Sequence, residues 1–566
     1  MRKLILITIA LIWAYGLVEI KIVVAQTLSN QVSEHLRNRI AVAETPPKIT
    51  VQGELIHTLA MLSSFYERRV YQPAWSGDNG LFPQVDALMK AIREADREGL
   101  RPGDYHLARI ESILTAMRQN QEQQTNLSRI VDLDLLLTDS FLLYGSHLLA
   151  GRINPETIDP EWSIERREVD VVEVLQSALD SNRIEEALKE LITPQPCYAR
   201  LRQALARYRD IAAKGGWPTV PDGPKMQKGD SDERVLALRA RLTAVDIPDQ
   251  ESNRDQFTSF TYDFVLLFDD ALEQAVRKFQ ERYGLEVDGI VGPRTLAAMN
   301  VTVEERIRQI ELNMERWRWL PQDFGRRYIL VNIANFELDV VEDGQTVMTM
   351  HIIVGKPYQH TPIFSADMTN LIFNPSWYVP PSIARKEILP SVRKDPGYLA
   401  KQKMRVYQDW NGETREIDPQ TINWSQVSAK NFPYRFRQDP GSKNAFGRLK
   451  FVLFPNQFNV YLHDTPSKSL FSRAVRAFSH GCIRIEKPIE LAEYVLRGDE
   501  KWNREKILAT IKKGRERTVQ LPEPIPVYLL YCTVLVNEDG SIQFRDDLYG
   551  RDKELDKAFR KKPSGL

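Results

Sequence analysis

The sequence predicts an α+β protein of several domains, with helices in its first half and β-strands in most of its second half. At roughly 150 residues per domain, 566 residues correspond to about three or four domains. Apolar residues recur at helical spacing in the first half, and the period becomes strand-like after Trp317 and Trp319. A long segment rich in proline and aromatic residues then separates two groups of predicted strands.

The composition is that of a globular protein. Hydrophobic residues make up 43% and charged residues 27% of the chain, which excludes a collagen, a disordered chain and a polytopic membrane protein. The 76 basic and 76 acidic residues cancel, so no overall charge attracts nucleic acid. Three cysteines exclude a disulfide scaffold and leave at least one free thiol.

The N-terminus resembles an export signal. Arg2 and Lys3 precede an apolar run over residues 4–18, and Ala25 could precede a cleavage site. Because Glu19 and Lys21 interrupt the region before that site, residues 1–25 are either a cleaved signal peptide or a retained membrane anchor. Either reading predicts export in a bacterium. The polar residues 26–50 are predicted to be a linker.

Residues 51–215 are predicted to form a helical scaffold domain. Leucine and phenylalanine residues between 133 and 148 fill a wide helical face, and Gly151 stands where a helix-ending glycine belongs. We find neither a nucleophile beside a base nor metal-ligand spacing in this region. A structural role is therefore the prediction.

Residues 228–300 are predicted to form a compact module. They resemble the three-helix peptidoglycan-binding module, whose signature is matched in register by Phe279-Gln280, Gly284-Leu285, Asp288, Gly289, Gly292 and Thr295. The signature glycines are first of all turn requirements. Direct glycan binding and a purely positional role therefore remain open.

A mainly β region is predicted over residues 326–536. Residues 328–341 are interpreted as one strand, 342–344 as a hairpin turn and 346–354 as the returning strand. Residues 375–446 interrupt the strands and are predicted to be an inserted cap that moves as a lid, with Trp377 and Tyr378 near its hinge. The alternative is a fixed decoration that completes the core. Residues 537–566 are predicted to be a C-terminal tail.

One motif carries the chemistry. His463 lies nineteen positions before Cys482, and Ser479-His480-Gly481-Cys482-Ile483-Arg484 is contiguous. This pattern resembles the active-site signature of the L,D-transpeptidase (YkuD-type) family. The segment NPSWYVPPSI resembles the large Gram-negative branch of that family, which also carries a scaffold and a binding module. The resemblance implies a mainly β, YkuD-like catalytic sandwich.

The residue types alone predict acyl transfer. A cysteine attacks as the thiolate, and a nearby imidazole can accept the thiol proton and return it to the leaving amine. We expect two antiparallel strands to bring His463 and Cys482 together at a sheet edge. The backbone N–H groups of Gly481 and Cys482 are expected to form an oxyanion hole.

The resemblance distributes the remaining roles. His463 is the base, its orienting partner is expected to be a backbone carbonyl, and His480 shapes the pocket or contacts substrate. Arg484 shares the strand face of Cys482 and suits a substrate carboxylate, unless it pairs with Glu486 or Glu490. Ser479 and Trp377 complete the expected binding set. No spacing suits zinc, so no metal and no cofactor are expected.

The resemblance further implies 3→3 crosslinking of peptidoglycan stem peptides through a cysteine thioester. Hydrolysis or D-amino-acid exchange at the same thioester is the first alternative, and a catalytically inert wall-binding protein is the second. The expected partners are stem peptides, glycan and carbapenem-type inhibitors, without nucleic acid. The expected location is the periplasm or cell envelope of a Gram-negative bacterium.

Overall fold

The computed structural model describes residues 27–41, 48–119, 126–244, 266–410 and 413–561 of the chain. The predicted signal peptide or anchor over residues 1–25 lies outside the described residues. None of the described helices combines the length and the apolar character needed to cross a membrane. The predicted α+β class, with a mainly β C-terminal half, is confirmed.

The first domain is a helical bundle with its own core. Its helices are α1 Leu28–Ala41, α2 Leu59–Arg68, α3 Gln84–Arg93, α4 Leu107–Gln119, α5 Leu127–Ala150, α6 Val171–Ser181 and α7 Ile184–Glu190. Two short hairpins join them, formed by strands β1 Thr50–Val51, β2 Glu54–Leu55, β3 Ser76–Gly77 and β4 Gly80–Leu81. The other helices surround α5, which is buried at every residue from 130 to 145.

Gly151 ends α5, as the sequence predicts. Its φ of +85° lies in the left-handed region, which disfavours other residues. A Cβ at this position would lie 2.6 Å from Nε1 of Trp319, so the close approach of two elements also requires glycine.

The linker predicted over residues 26–50 is wrong for most of its length. Helix α1 occupies Leu28–Ala41 and buries Val32, Leu36 and Ile40 in the core of the first domain. These three residues recur every four positions, which places them on one helical face. Because polar residues separate these three, the sequence of the helix resembles that of a linker.

The second core joins the module to the mainly β region. Helices α8 Pro196–Ala213, α9 Arg234–Thr243, α10 Asp270–Arg282, α11 Pro293–Met299 and α12 Val303–Arg318 contribute to it. Helix α8 packs against α12. The last helix of the predicted scaffold domain thus shares its core with the mainly β region.

The mainly β region is one sheet that closes on itself. Its strands are β5 Arg327–Asn332, β6 Glu337–Glu342, β7 Gln345–Gly355, β8 Phe364–Phe373, β13 Leu449–Phe454, β14 Leu462–His463, β15 Ala477–Ser479, β16 Ile483–Ile485 and β17 Arg517–Leu530. The order β7-β16-β14-β13-β8-β17-β5-β6 returns to β7, and β15 adds to the other side of β7. Helices α16 Pro488–Leu496 and α17 Arg504–Lys512 connect β16 to β17.

The single strand predicted over residues 328–341 is in fact two. Strand β5 ends at Asn332 and β6 begins at Glu337, with a turn between them in which Phe336 has a φ of +60°. The apolar residues of that turn, Ile333 and Phe336, are buried and mimic a continuous strand. The predicted turn between β6 and β7 is confirmed at Asp343 and Gly344, both of which have positive φ.

The cap over residues 375–446 is a small folded unit. Strands β9 Trp377–Tyr378, β10 Met404–Trp410, β11 Glu413–Ile417 and β12 Tyr434–Gln438 form a sheet in the order β11-β10-β12-β9. Helices α13 Pro381–Ile383, α14 Leu389–Lys394 and α15 Tyr398–Lys401 cover it, and a π-helical turn at Ala384–Ile388 joins α13 to α14. The cap has a separate hydrophobic core, so it does not complete that of the large sheet.

Residues 537–561 of the predicted C-terminal tail are folded into the same core as the mainly β region. Strand β18 Val534–Val536 pairs with β19 Ile542–Phe544, and helix α18 Arg551–Phe559 follows. Leu555 and Phe559 of α18 are buried in the second core. Because most residues of this helix are charged, its sequence does not indicate that the helix packs against a core.

Candidate active site

Cys482, His463 and Arg484 lie on one face of the large sheet. Strands β14 and β16 pair with Leu462 beside Ile483 and His463 beside Arg484. Leu462 and Ile483 are fully buried in the core. Because side chains alternate between the faces of a strand, His463 and Arg484 point away from that core. Cys482, two residues before Arg484, shares their face.

The pairing of these strands differs from the prediction. Strands β14 and β16 are parallel rather than antiparallel, and both lie inside the sheet, with β13 on one side and β7 on the other. A parallel pair needs a crossover connection. The residues between His463 and Cys482 supply it, which explains the long spacer of the motif.

His463 is a buried, neutral base. Its Nδ1 donates to the carbonyl oxygen of Asp464 at 2.5 Å. The group that orients the ring is therefore a backbone carbonyl, as expected. Burial and, after it, the positive charge of Arg484 lower the pKa of His463 to about 3. Above that pH, Nε2 is therefore available to accept a proton.

Cys482 is a partly buried thiol on the same sheet face as His463. Its sulfur lies 3.8 Å from the carbonyl oxygen of Asn459. Burial raises the pKa of the thiol, while a backbone hydrogen bond from Tyr461 and the charges of Lys450 and Arg484 lower it. Since the thiol is mostly protonated at neutral pH, attack requires a base to remove its proton.

A hydroxyl holds the turn that carries the cysteine. Ser479 Oγ donates to the carbonyl of Cys482 at 2.5 Å and accepts from the N–H of Gly481 at 3.1 Å. The N–H of Gly481, one of the donors expected for an oxyanion hole, is thus engaged by Ser479 in this structure. Gly481 has a φ of +114°, and Thr361 Oγ1 donates to its carbonyl at 2.8 Å.

His480 points to the cap rather than to the sulfur. Its Nε2 makes a short hydrogen bond with the Glu387 carboxylate in the π-helical turn of the cap. A series of rings forms a second connection: Trp377 lies 6.3 Å from Phe446, which lies edge-on to His463 at 4.9 Å. The cap therefore contacts the site at two histidines of the motif, His480 and His463.

Arg484 has neither of the carboxylate partners that the sequence offered. Glu486 lies 3.7 Å from His351, and Glu490 pairs with Arg504 at 3.4 Å. Within the described part of the chain, the buried Nε of Arg484 has no hydrogen-bond partner. A guanidinium kept in this way suits an anionic group brought by a ligand.

Sequence reasoning missed several supporting residues. The Asp464 carboxylate accepts from the N–H of Arg448 at 2.8 Å and pairs with Lys468 at 2.7 Å, which fixes the residue whose carbonyl orients His463. Tyr549 donates to the carbonyl of Gly355 at 2.7 Å, beside the Thr361 that supports the Gly481 turn. Only the adjacency of Asp464 to His463 was visible in the sequence.

The signature of the module forms an internal hydrogen-bonded cluster. Gln280 Nε2 donates to Asp288 Oδ1 at 2.7 Å and to Thr295 Oγ1 at 3.2 Å, and its Oε1 accepts from the N–H of Gly289 at 2.8 Å. Gly292 is the N-cap of α11. These residues stabilise the turn between α10 and α11.

The remaining signature residues lie where the module meets the catalytic region. Phe279 stacks on Tyr283 at 4.0 Å, and Tyr283 stacks on Phe544 of β19 at 5.5 Å. Gly284 follows α10 with a φ of +65°. The Glu286 carboxylate accepts from the N–H of Ala474, in the crossover between β14 and β16, at 3.1 Å.

Comparison with curated proteins gives partial matches. The chain is 32% identical over 251 residues to the "Putative L,D-transpeptidase" of Haemophilus influenzae, covering 44% of this chain and 49% of that protein. It is 40% identical over 82 residues to the N-acetylmuramoyl-L-alanine amidase CwlM of Mycobacterium tuberculosis, covering 14% of this chain and 20% of the amidase. The chain spans about half or less of these relatives' lengths.

Solved structures share little overall shape with this chain. An L,D-transpeptidase from Mycobacterium smegmatis has 14% identity and a TM-score of 0.17, over 36% of this chain and 58% of that one. One from Stackebrandtia nassauensis has 12% identity and a TM-score of 0.20, over 55% and 96%. These TM-scores are too low for the similarity to carry an argument.

Family models match three separate segments. Residues 60–205 match a "Scaffold domain", residues 231–299 a "Putative peptidoglycan binding domain" and residues 326–508 an "L,D-transpeptidase catalytic domain". The chain thus combines a scaffold domain, a peptidoglycan-binding domain and a catalytic domain of the L,D-transpeptidase (YkuD) family.

Proposed function

We propose that this chain crosslinks peptidoglycan stem peptides by L,D-transpeptidation, with Cys482 as nucleophile and His463 as base. The observation that carries the proposal is the pairing of a protonated thiol with a neutral imidazole on one sheet face. The Asp464 carbonyl holds Nδ1 of that imidazole, which leaves Nε2 for the thiol proton.

The first half-reaction forms a thioester. Nε2 of His463 accepts the thiol proton while the sulfur of Cys482 attacks the carbonyl carbon of the third stem residue. The bond from that carbon to the amine of D-alanine breaks, and His463 returns the proton to the departing amine. The Cys482 N–H is the backbone donor that we propose for the intermediate's oxyanion.

The second half-reaction transfers the acyl group. The side-chain amine of another stem attacks the thioester and gives a proton to His463, and the carbon–sulfur bond breaks. The sulfur then regains its proton, and a 3→3 crosslink remains. Arg484 is the proposed partner of a stem carboxylate, with Trp377, Ser479 and His480 completing the binding set.

The cap is proposed to close over this site as a lid. Its separate core supports an independent unit, and it contacts the site through Glu387 to His480 and through Phe446 to His463. Excluding water from the thioester would favour an amine acceptor over hydrolysis.

The module and the cellular location belong to the same proposal. Peptidoglycan as substrate places the protein in the cell envelope, which we propose to be the periplasm of a Gram-negative bacterium. The module either binds glycan or positions the catalytic domain, and its internal signature cluster supports positioning. Carbapenem-type β-lactams are proposed to acylate Cys482.

Incubation with purified tetrapeptide muropeptides, followed by mass analysis, tests the function. We expect crosslinked dimers and free D-alanine from the unaltered chain. Cys482→Ala and Cys482→Ser should give no dimers while remaining folded, because a serine hydroxyl is far less ionised than a thiol. If only tripeptides formed, the activity would be hydrolysis rather than transpeptidation. The absence of any product would favour an inert wall-binding protein.

A further inference from the structure

A second cation, Lys450, lies on the same face of the sheet as Cys482. Strand β13 pairs Lys450 with His463, and Phe451, the next residue, is fully buried in the core. Lys450 therefore points to the side on which His463 and Cys482 lie. Its Nζ is 3.6 Å from the centroid of the Tyr461 ring and 4.9 Å from that of Phe446.

The Tyr461 ring places this ammonium near the sulfur. The N–H of Ile483 donates to the carbonyl of Tyr461 at 2.9 Å, so Tyr461 lies across from Cys482 between neighbouring strands. A backbone hydrogen bond from Tyr461 also reaches the thiol. The cation held against this ring is thus beside the residue that binds the sulfur.

No described carboxylate lies within ion-pair distance of Lys450. The carboxylate that acts on it is Glu516, which itself accepts from the N–H of Ser376 at 2.6 Å. Burial lowers the pKa of Lys450, as expected for a cation without an ion-pair partner. Such a charge favours any anion that forms beside it, and the reacting sulfur is that anion.

We propose that Lys450 is a positioning residue whose ammonium stabilises the thiolate of Cys482. The inference rests on the proposed function only in taking Cys482 as the nucleophile. When His463 takes the thiol proton, the negative charge on sulfur is next to Lys450, which keeps its own proton throughout. The charge passes to the carbonyl oxygen as the carbon–sulfur bond forms.

Other charged and titratable groups also lie around the site. Arg484 approaches from β16, His463 and Tyr461 from β14, and His480 with its partner Glu387 from the cysteine turn and the cap. All five remain in a Lys450 variant. A change in thiol ionisation on removal of the Lys450 charge therefore measures the contribution of that charge.

The test is the pH dependence of Cys482 alkylation by iodoacetamide in the full chain, followed by the mass of the Cys482 peptide. Lys450→Met removes the charge, Lys450→Arg keeps it, and Lys506→Met alters an exposed lysine of α17 as the control. We expect Lys450→Met to raise the midpoint by about one pH unit, and so to slow alkylation at pH 7 about tenfold. The other two variants should follow the unaltered chain.

Two results would overturn the proposal. An unchanged midpoint in Lys450→Met would do so, and so would a lower plateau at high pH with the same midpoint, which indicates altered access to the sulfur. If Lys450→Met does not fold, as judged by circular dichroism, Lys450→Gln takes its place. Alkylation needs no peptidoglycan, so a chain that fails to crosslink muropeptides would refute the proposed function and leave the Lys450 result separate.

Discussion

His463 faces the thiol as a neutral imidazole because of where it is buried. Burial and the neighbouring cations Arg484, Lys450 and Lys468 all disfavour its protonated form, and only the hydrogen bond to Asp464 favours it. Burial also keeps a proton on Cys482. In the proposed reaction, the nucleophile therefore forms by proton transfer during attack rather than existing beforehand as an ion pair.

The first prediction concerns the acid limb of acylation. Since the pKa of His463 is lowered to about 3, the base stays neutral as the pH falls from 7 to 5. A histidine of ordinary pKa 6.5 would lose about thirtyfold of its neutral form at pH 5. We expect the rate of acylation by a carbapenem, followed by stopped flow, to vary less than threefold over this range, about a tenth of that loss. A limb centred between pH 6 and 7 would contradict it.

The second prediction separates the two histidines of the motif. Removal of a general base costs about 10²–10⁴-fold, so His463→Ala should reduce acylation by that factor. His480→Ala should cost less than tenfold in the same step, far below a lost base, because its Nε2 is committed to Glu387. His351→Ala, outside the motif, is the matched control. A larger loss in His480→Ala would exchange the two roles.

At the scale of single residues, the sequence indicates which residues form the site better than it indicates what they contact. The contiguous motif predicts Cys482 and His463, and strand alternation correctly places Arg484 on the face of Cys482. Asp464 is noticeable only because it adjoins His463, and nothing in the spacing of Lys450 marks it. The loss of the Gly481 N–H to Ser479 depends on a turn that the sequence does not specify.

Among the elements, the crossover from β14 to β16 decides the geometry of the site. It enters from the strand of His463, contacts the module at Ala474, forms β15 beside β7 and ends at the cysteine turn. Both ends of the crossover are thus fixed by neighbouring strands. A connection of this kind holds Cys482 and His463 in register.

The third prediction tests the cap as a lid. Strands β9 and β12 pair with Tyr378 opposite Arg437, so a short Gly-Ser turn can replace residues 379–436 without moving either end. The deletion removes the whole separate core, whereas a deletion of 395–440 would leave α14 with an exposed apolar face. The shortened chain should still be acylated by a carbapenem but should hydrolyse more thioester than it transfers.

The readout is the ratio of tripeptide to crosslinked dimer, measured by mass analysis. Glu387→Gln in the full-length chain is the companion variant, because it weakens one contact between cap and site and leaves the cap folded. An unchanged ratio in both variants would reject the lid. Unfolding of the shortened chain would instead make the cap a structural part of the domain.

Element boundaries show why periodicity alone misleads. Residues 328–341 alternate like one strand because the turn at Ile333 to Phe336 buries apolar side chains as a strand does. Helix α1 was missed for the opposite reason, since its three buried apolar residues, Val32, Leu36 and Ile40, are separated by polar ones. Both errors arise where tertiary burial, rather than local pattern, decides the conformation.

Across the whole molecule, the C-terminal helix α18 joins three regions. Arg152 of the first domain donates to the carbonyls of Phe559 and Lys561, at 3.1 and 2.6 Å. From α12, Arg308 pairs with Asp556 and Arg316 pairs with Asp552. The segment predicted to be a tail therefore forms one of the contacts between the scaffold and catalytic regions.

The fourth prediction uses the buried pair of Arg316 and Asp552. Removing one member of a buried ion pair leaves the other charge unpaired and costs about 3–5 kcal/mol. We expect Asp552→Ala to lower the free energy of unfolding of the catalytic region by that amount, measured by urea denaturation. Asp539→Ala, in an exposed turn, should change it by about 0.5 kcal/mol or less. A loss below about 1 kcal/mol in Asp552→Ala would contradict this account.

The order of strands in the closed sheet carries a consequence for how the chain is made. Strand β17 fills the gap between β8 and β5, so every other strand of the ring is synthesised before the one that seals it. Until Arg517–Leu530 emerges, the catalytic residues belong to an open sheet with two unpaired edges, which are surfaces prone to pairing with other chains. A ribosome that stalls after residue 500 would thus release a chain that already contains the cysteine motif but has two exposed edges. Synthesis of β17 therefore closes the sheet and removes its two exposed edges at the same time.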